Sequence, residues 1–219
     1  MKIKSLLMTA AVAGLSFSGY AQDGEKQLCM EKVSLLTNYV KQGNFADAMT
    51  FFDEAYSKCP SIHSSLYTQG EKTFVGLLKA ETDQAKKDAL LDKFMGVYDS
   101  WIKYYGNQKK TPKYFLLGRK ANNYVKYSDE KNPDVKLKAY DWYAEALKLG
   151  GENCDVMSFW NFMDLSVAKF KKDPAHKEQL IEDYLYIAPL MVKRSNSGVP
   201  KDTIFAEFKG EVDMAFARS

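Results

Sequence analysis

The chain has 219 residues, 46% of them hydrophobic and 27% charged, with 31 Lys and Arg against 28 Asp and Glu. That is enough apolar material for a sizeable core, and it is too close to neutral for general electrostatic capture of nucleic acid or anionic lipid. The lysines are scattered among acids, as on solvated helix faces, so no nucleic-acid partner is expected.

The first residues read as an export leader. Lys2 and Lys4 give a basic start, and residues 5–18 form a mostly apolar run broken by Thr9, Ser16 and Ser18. Gly19-Tyr20-Ala21 then offers the small residues a signal peptidase reads. Cleavage before Gln22 is expected, so that 1–21 is removed and 22–219 forms the mature domain. A spanning helix needs roughly 20 apolar residues. The run falls short of that, and no transmembrane span is expected in the mature chain. Loss of Lys2 and Lys4 leaves 29 basic against 28 acidic residues. The residue directly after the cleavage point is Gln22, not a cysteine that could carry a lipid.

Beyond the leader the pattern is helix after helix, expected over 26–42, 45–58, 62–80, 83–105, 112–127, 133–149, 155–171, 174–194 and 201–217. Three boundaries share one device, Thr111-Pro112, Asn132-Pro133 and Asp173-Pro174. In each, an N-cap residue precedes a proline, whose missing N–H costs nothing at the first helical position. Gly106-Asn107, Gly150-Gly151 and Gly198 mark helix ends. Pro189 is expected to kink the eighth helix or end it early. Short turns between about nine helices imply antiparallel neighbours in an all-α fold.

The most specific stretch is 43–60, "GNFADAMTFFDEAYSKCP". Gly43, Phe45, Ala48, Phe52, Ala55 and Pro60 fall at G-x-F-x2-A-x3-F-x2-A-x4-P. The small residues let two helices approach, Phe52 fills the space between them, and Gly43 permits a tight reversal. This segment resembles the second helix of a tetratricopeptide repeat (TPR), with Leu35 and Tyr39 on the matching places of the first helix. It departs from the pattern at Lys32, where the repeat has Trp, and at Leu36, where it has Gly.

Later units resemble the repeat more loosely. Tyr114, Leu117 and Gly118 are followed by Ala139, Tyr143 and Ala146, and then Trp160 and Met163 are followed by Leu180, Tyr184 and Ile187. Residues 62–105 match worst, through Leu90, Phe94 and Val97. The anchors at 48, 90, 139 and 180 lie 42, 49 and 41 residues apart, against a usual period of 34. The resemblance implies stacked antiparallel hairpins, a TPR-like α-solenoid, with lengthened helices or loops. The ninth helix carries Ile204, Phe205, Phe208, Val212, Met214 and Phe216, an apolar face that either caps the stack or meets a further helix of a longer chain.

In such a stack the first helices line a concave wall. Arg119, Asn122, Asn123 and Lys126 are then expected to face a groove and to suit an acidic or carbonyl-rich peptide. Their counterparts in the first repeat include Val33, Thr37 and Val40. Some TPR adaptors hold a C-terminal carboxylate with Lys and Asn four apart. Val33 and Thr37 occupy those places here, so that clamp is not expected. The repeat match also brings Cys29 and Cys59 near each other, leaving a bridge and two free thiols both open, while Cys154 is left over.

Other chemistry is thin. His63 and His176 are far apart, no cysteine spacing suits zinc, and no nucleophile or phosphate-loop signature appears, so no metal site, cofactor or catalytic residue is expected. Adjacent carboxylates such as Asp53-Glu54 diverge on a helix. Aromatic clusters around Trp101, Trp142 and Trp160 suit core packing, or a glycan platform if the rings are exposed. The sequence therefore implies a non-catalytic envelope scaffold for a protein or peptide partner. It would be exported to the periplasm or outer membrane of a Gram-negative bacterium, with a carbohydrate or nutrient binder as the alternative.

Overall fold

A computed structural model describes residues 17–129 and 131–219, so most of the expected leader, 1–16, lies outside the described residues. Nine α-helices are found among the described residues. They are α1 (Phe17–Lys41), α2 (Phe45–Lys58), α3 (Ser65–Ala80), α4 (Gln84–Tyr105), α5 (Lys113–Tyr127), α6 (Ala139–Gly150), α7 (Val156–Lys172), α8 (Lys177–Ser195) and α9 (Ile204–Ala217). Short 3-10 turns precede α6, α7, α8 and α9. The fold is all-α apart from one two-residue ladder.

Local chemistry sets the ends. Asn44, Asp83 and Asp155 each accept a backbone N–H three residues on, which satisfies one of the orphan donors of α2, α4 and α7. Asp173 caps the turn before α8 through Ala175 N–H, with Pro174 at the first position as expected. Gly43 takes φ +73°, a conformation that L side chains rarely adopt, and turns α1 back toward α2.

Several expectations need correction: α1 begins at Phe17 rather than at 26, and residues 133–138 form a 3-10 helix, so that α6 begins only at Ala139. Thr111-Pro112 does not cap a helix but pairs with Asn107-Gln108 as the antiparallel ladder β1 (Asn107–Gln108) and β2 (Thr111–Pro112). Its Thr111 hydroxyl is spent on the Tyr105 carbonyl rather than on α5. Pro189 does not end α8, which runs on to Ser195. It sits on the exposed face of that helix, where water can satisfy the carbonyl that loses its N–H partner.

Each helix from α1 to α8 packs on the next, α1 also touches α3, and α9 lies against both α7 and α8. Ala48, Phe52 and Ala55 of the motif are fully buried, and so is Leu36, which fills the place where the repeat pattern carries glycine. Close approach of α2 and α3 depends on Gly70, where an added Cβ would lie 2.4 Å from the Phe52 ring. From Phe52 an aromatic chain crosses the first half of the molecule. Phe74 meets Phe52 edge-on at 5.5 Å and stacks on Phe94 at 4.9 Å, and Trp101 lies stacked against both Tyr98 and Tyr67 at 5.8 Å. Such pairs contribute about 0.5–1.5 kcal/mol each beyond their buried area. On α9, Phe205 and Val212 are buried, with Phe205 edge-on to Phe159 of α7.

At the end of the first hairpin away from Gly43, Cys29 and Cys59 form a disulfide with their Cα atoms 6.3 Å apart. Cys154 is a buried free thiol that donates to the Ala146 carbonyl. Burial, followed by the nearby Asp155 charge, pushes its pKa up to about 12.

Candidate functional site

Two recesses adjoin along α3. The first, about 560 Å³, lies between α3 and α5, and the second, about 550 Å³, lies where α3 meets the α1–α2 turn. Both are lined by Lys72, Val75 and Lys79, and together they make up the trough along this helix. Positions 72, 75 and 79 share a helix face by their spacing. On the opposite wall Phe115, Arg119, Asn122, Asn123 and Lys126 repeat the same periodicity along α5. At the far end Val40, Phe45, Gly76 and Ala80 supply an apolar notch. The Phe45 ring lies so close over Gly76 that a Cβ there would sit 2.2 Å from it.

The trough contains all four α5 residues expected from the sequence, but most of their polar groups are already engaged. Glu71, only 7% exposed, is the centre of a network at its base. Arg119 grips the carboxylate with Nε at 3.0 Å and Nη2 at 2.6 Å, and the Tyr98 hydroxyl donates to it at 2.5 Å. Asn123 donates both to Glu71 at 3.2 Å and to the Tyr98 oxygen at 2.9 Å. Burial and then the Glu71 charge raise the pKa of Tyr98. Burial opposes the charge on Arg119, yet the carboxylate outweighs it and the guanidinium pKa is raised. Asn122 accepts from the Tyr143 hydroxyl at 2.7 Å and from Asn161 at 3.2 Å, tying α5 to α6 and α7.

What stays available is basic. Lys72, Lys79 and Lys126 are exposed, and none of them forms a salt bridge among the described residues. The other acid on the lining, Asp155, is occupied in capping α7 through Ser158 N–H and hydroxyl. Lys126 rests over the Tyr127 ring, 5.5 Å from its centroid, and Arg119 covers exposed Phe115 at 5.4 Å.

The α1 side of the expected groove is corrected. Val33 is 3% exposed and belongs to the core, because α1 packs on α2 and α3 through that face. Thr37 gives its hydroxyl to the Val33 carbonyl at 2.8 Å. Of the three, Val40 alone lines the trough. Glu71, Lys72 and Lys79 were not singled out from the sequence. A Lys-x2-Val-x3-Lys stripe on one helix face was the available signal.

The tryptophans bear on the carbohydrate alternative. Trp101 is buried, with its indole N–H lacking an acceptor, and Trp142 and Trp160 are half-buried. Lys120 lies 4.2 Å from the Trp142 centroid, and Phe208 meets Trp160 edge-on. None is an exposed ring platform.

A second polar cluster joins α6, α7 and α8. Asp183, 5% exposed, accepts from the Ser166 hydroxyl at 2.5 Å, from Tyr140 at 2.7 Å and from Gln179 at 3.0 Å. His176 Nε2 lies 3.3 Å from the Ser166 oxygen. Serine, histidine and aspartate therefore meet, which the sequence did not announce. The order is not that of a hydrolase triad, since the buried serine donates to the aspartate itself. Burial first, and then Lys169, lower the pKa of His176 against the opposing pull of Asp183 and Asp173. With the folded value below the unfolded one of about 6.5, the unfolded chain binds more protons in that window, and stability rises with pH. Urea midpoints are accordingly expected to fall as pH drops below about 6.5. His176→Gln should flatten that part of the profile, and an unchanged slope in the variant would refute the assignment.

Among the described residues no group of three or more His, Cys, Asp or Glu side chains is placed to hold a metal ion, and no helix is long and apolar enough to cross a membrane. Compared with known protein families, curated proteins and solved structures, the chain matches none.

Proposed function

We propose that this chain is an exported, non-catalytic scaffold of the bacterial envelope that holds a segment of a protein partner in the trough between α3 and α5. The trough itself carries the reading: two helix faces and an apolar notch line adjoining recesses of about 560 and 550 Å³. Its base is fixed by the Glu71 network, so the site is largely formed before anything binds, which lowers the cost of association.

In this reading the hairpins stack as a short TPR-like solenoid. The support is the burial of Ala48, Phe52 and Ala55 at repeat spacing and the packing of each helix on its neighbour. The leader pattern at 1–21 supports export, as does the Cys29–Cys59 bridge, since such bonds persist in oxidising compartments.

A photo-crosslinking amino acid at Val75, inside the trough, tests the proposal against the same group at exposed Glu178 on α8. In envelope extract the trough position is expected to capture a defined protein that the control position does not. Capture from both positions alike, or from neither, would sink the scaffold reading.

A further inference from the structure

The trough sets a charge problem for whatever enters it. Its two acids are occupied, Glu71 by Arg119, Tyr98 and Asn123, and Asp155 by the start of α7. Lys72, Lys79 and Lys126 are exposed around it and form no salt bridge among the described residues. The expected mature chain has nearly balanced charge, so this excess is local and belongs to the site. Between two of those lysines lies the apolar part, Val75 facing Val40 and Phe45 across the notch.

We infer that the occupant is an acidic–apolar peptide segment, with one apolar side chain in the notch at Val75 and carboxylates on Lys72 and Lys79. This rests on the scaffold reading and gives its partner a chemistry. Seven residues along α3 place the two lysine attachment points about 10.5 Å apart. An extended chain covers that distance in about three residues. The matching motif is thus two acids three positions apart with an apolar residue between them. Arg119, the obvious anion ligand from sequence, is already neutralised by Glu71. The lysines take the role expected of it.

The probe is a fluorescein-labelled peptide with the core glutamate–leucine–serine–glutamate, followed by fluorescence anisotropy with the full mature chain. Binding is expected to weaken about five-fold when both glutamates become glutamine, and further in the Lys72→Glu/Lys79→Glu variant, where attraction turns to repulsion. A peptide with lysines in place of the glutamates should bind that variant better than it binds the unaltered protein, a rescue that misfolding cannot produce. Raised salt should weaken the glutamate peptide more than the glutamine one.

Equal binding of the two peptides, with both lost on Val75→Asp, would overturn the acidic assignment while leaving the scaffold intact. No binding of either peptide, while the crosslinker at Val75 still captures a protein, would overturn the acidic–apolar motif alone. Preferential binding of a heparin tetrasaccharide at the same lysines would replace the peptide by an anionic glycan and overturn the inference.

Discussion

Replacing both Cys29 and Cys59 by serine is expected to cost about 3–4 kcal/mol of stability. The bridge joins residues 30 apart in sequence, and in the chain-entropy model a loop of that size restricts the unfolded chain by about this amount. Native contacts should change little, because the two sulfurs lie at the end of a hairpin that is held elsewhere by Phe52, Ala48 and Leu36. The effect should therefore appear in urea unfolding as a lower midpoint, and reduction of the unaltered protein should reproduce it. A steeper slope is also expected, since the unfolded state becomes less compact once the tie is gone. A loss below about 1 kcal/mol would mean that the bridge does not restrict the unfolded chain as this model requires.

Removal of Glu71 should cost a comparable amount by a different route. Glu71→Ala leaves the Tyr98 hydroxyl without its acceptor and Arg119 without its counter-charge. Breaking a fully buried pair costs 3–5 kcal/mol, but the Arg119 side chain is 43% exposed and can turn toward water. About 3 kcal/mol is the expected result. Tyr98→Phe alone should cost about 1.5–3 kcal/mol, since it removes a hydrogen bond to a carboxylate and also takes an acceptor from the Asn123 amide. In the Glu71→Ala background the same change should cost less, because the hydroxyl proton has already lost its acceptor and only the bond from Asn123 remains to be broken. Strict additivity in this double-mutant cycle would show that the two groups are not coupled. Peptide binding should fall in Glu71→Ala as well, since the α5 wall loses its anchor.

The helices were legible in the sequence because their signals are local. Both ends of α2 coincide with expectation, since Gly43 and the Asn44 cap act within a few residues of the first turn. The same locality misled at Thr111-Pro112, where a plausible cap pair is recruited by Asn107-Gln108 instead. On the site, the repeat resemblance implied that Arg119, Asn122, Asn123 and Lys126 face a groove. It could not show that Glu71 would be there to meet them. Its partners Tyr98, Arg119 and Asn123 are 27, 48 and 52 residues away, and it lies in the stretch where the repeat pattern is faintest. Val33 shows the opposite failure, as a place lent by the repeat pattern that packing assigns to the core.

Cys154 makes the choice of pairing matter. Three cysteines admit three pairings, but the chain emerges with Cys29 and Cys59 well before Cys154. Those two close a loop over 30 residues, whereas Cys59 and Cys154 lie 95 positions apart. The shorter closure is favoured by about 1 kcal/mol, or about five-fold. Once the later helices fold, the third thiol is buried and its thiolate, the attacking species in disulfide exchange, is suppressed. Closure entropy thus favours the pairing of Cys29 with Cys59, and burial of Cys154 then keeps it from being rewritten.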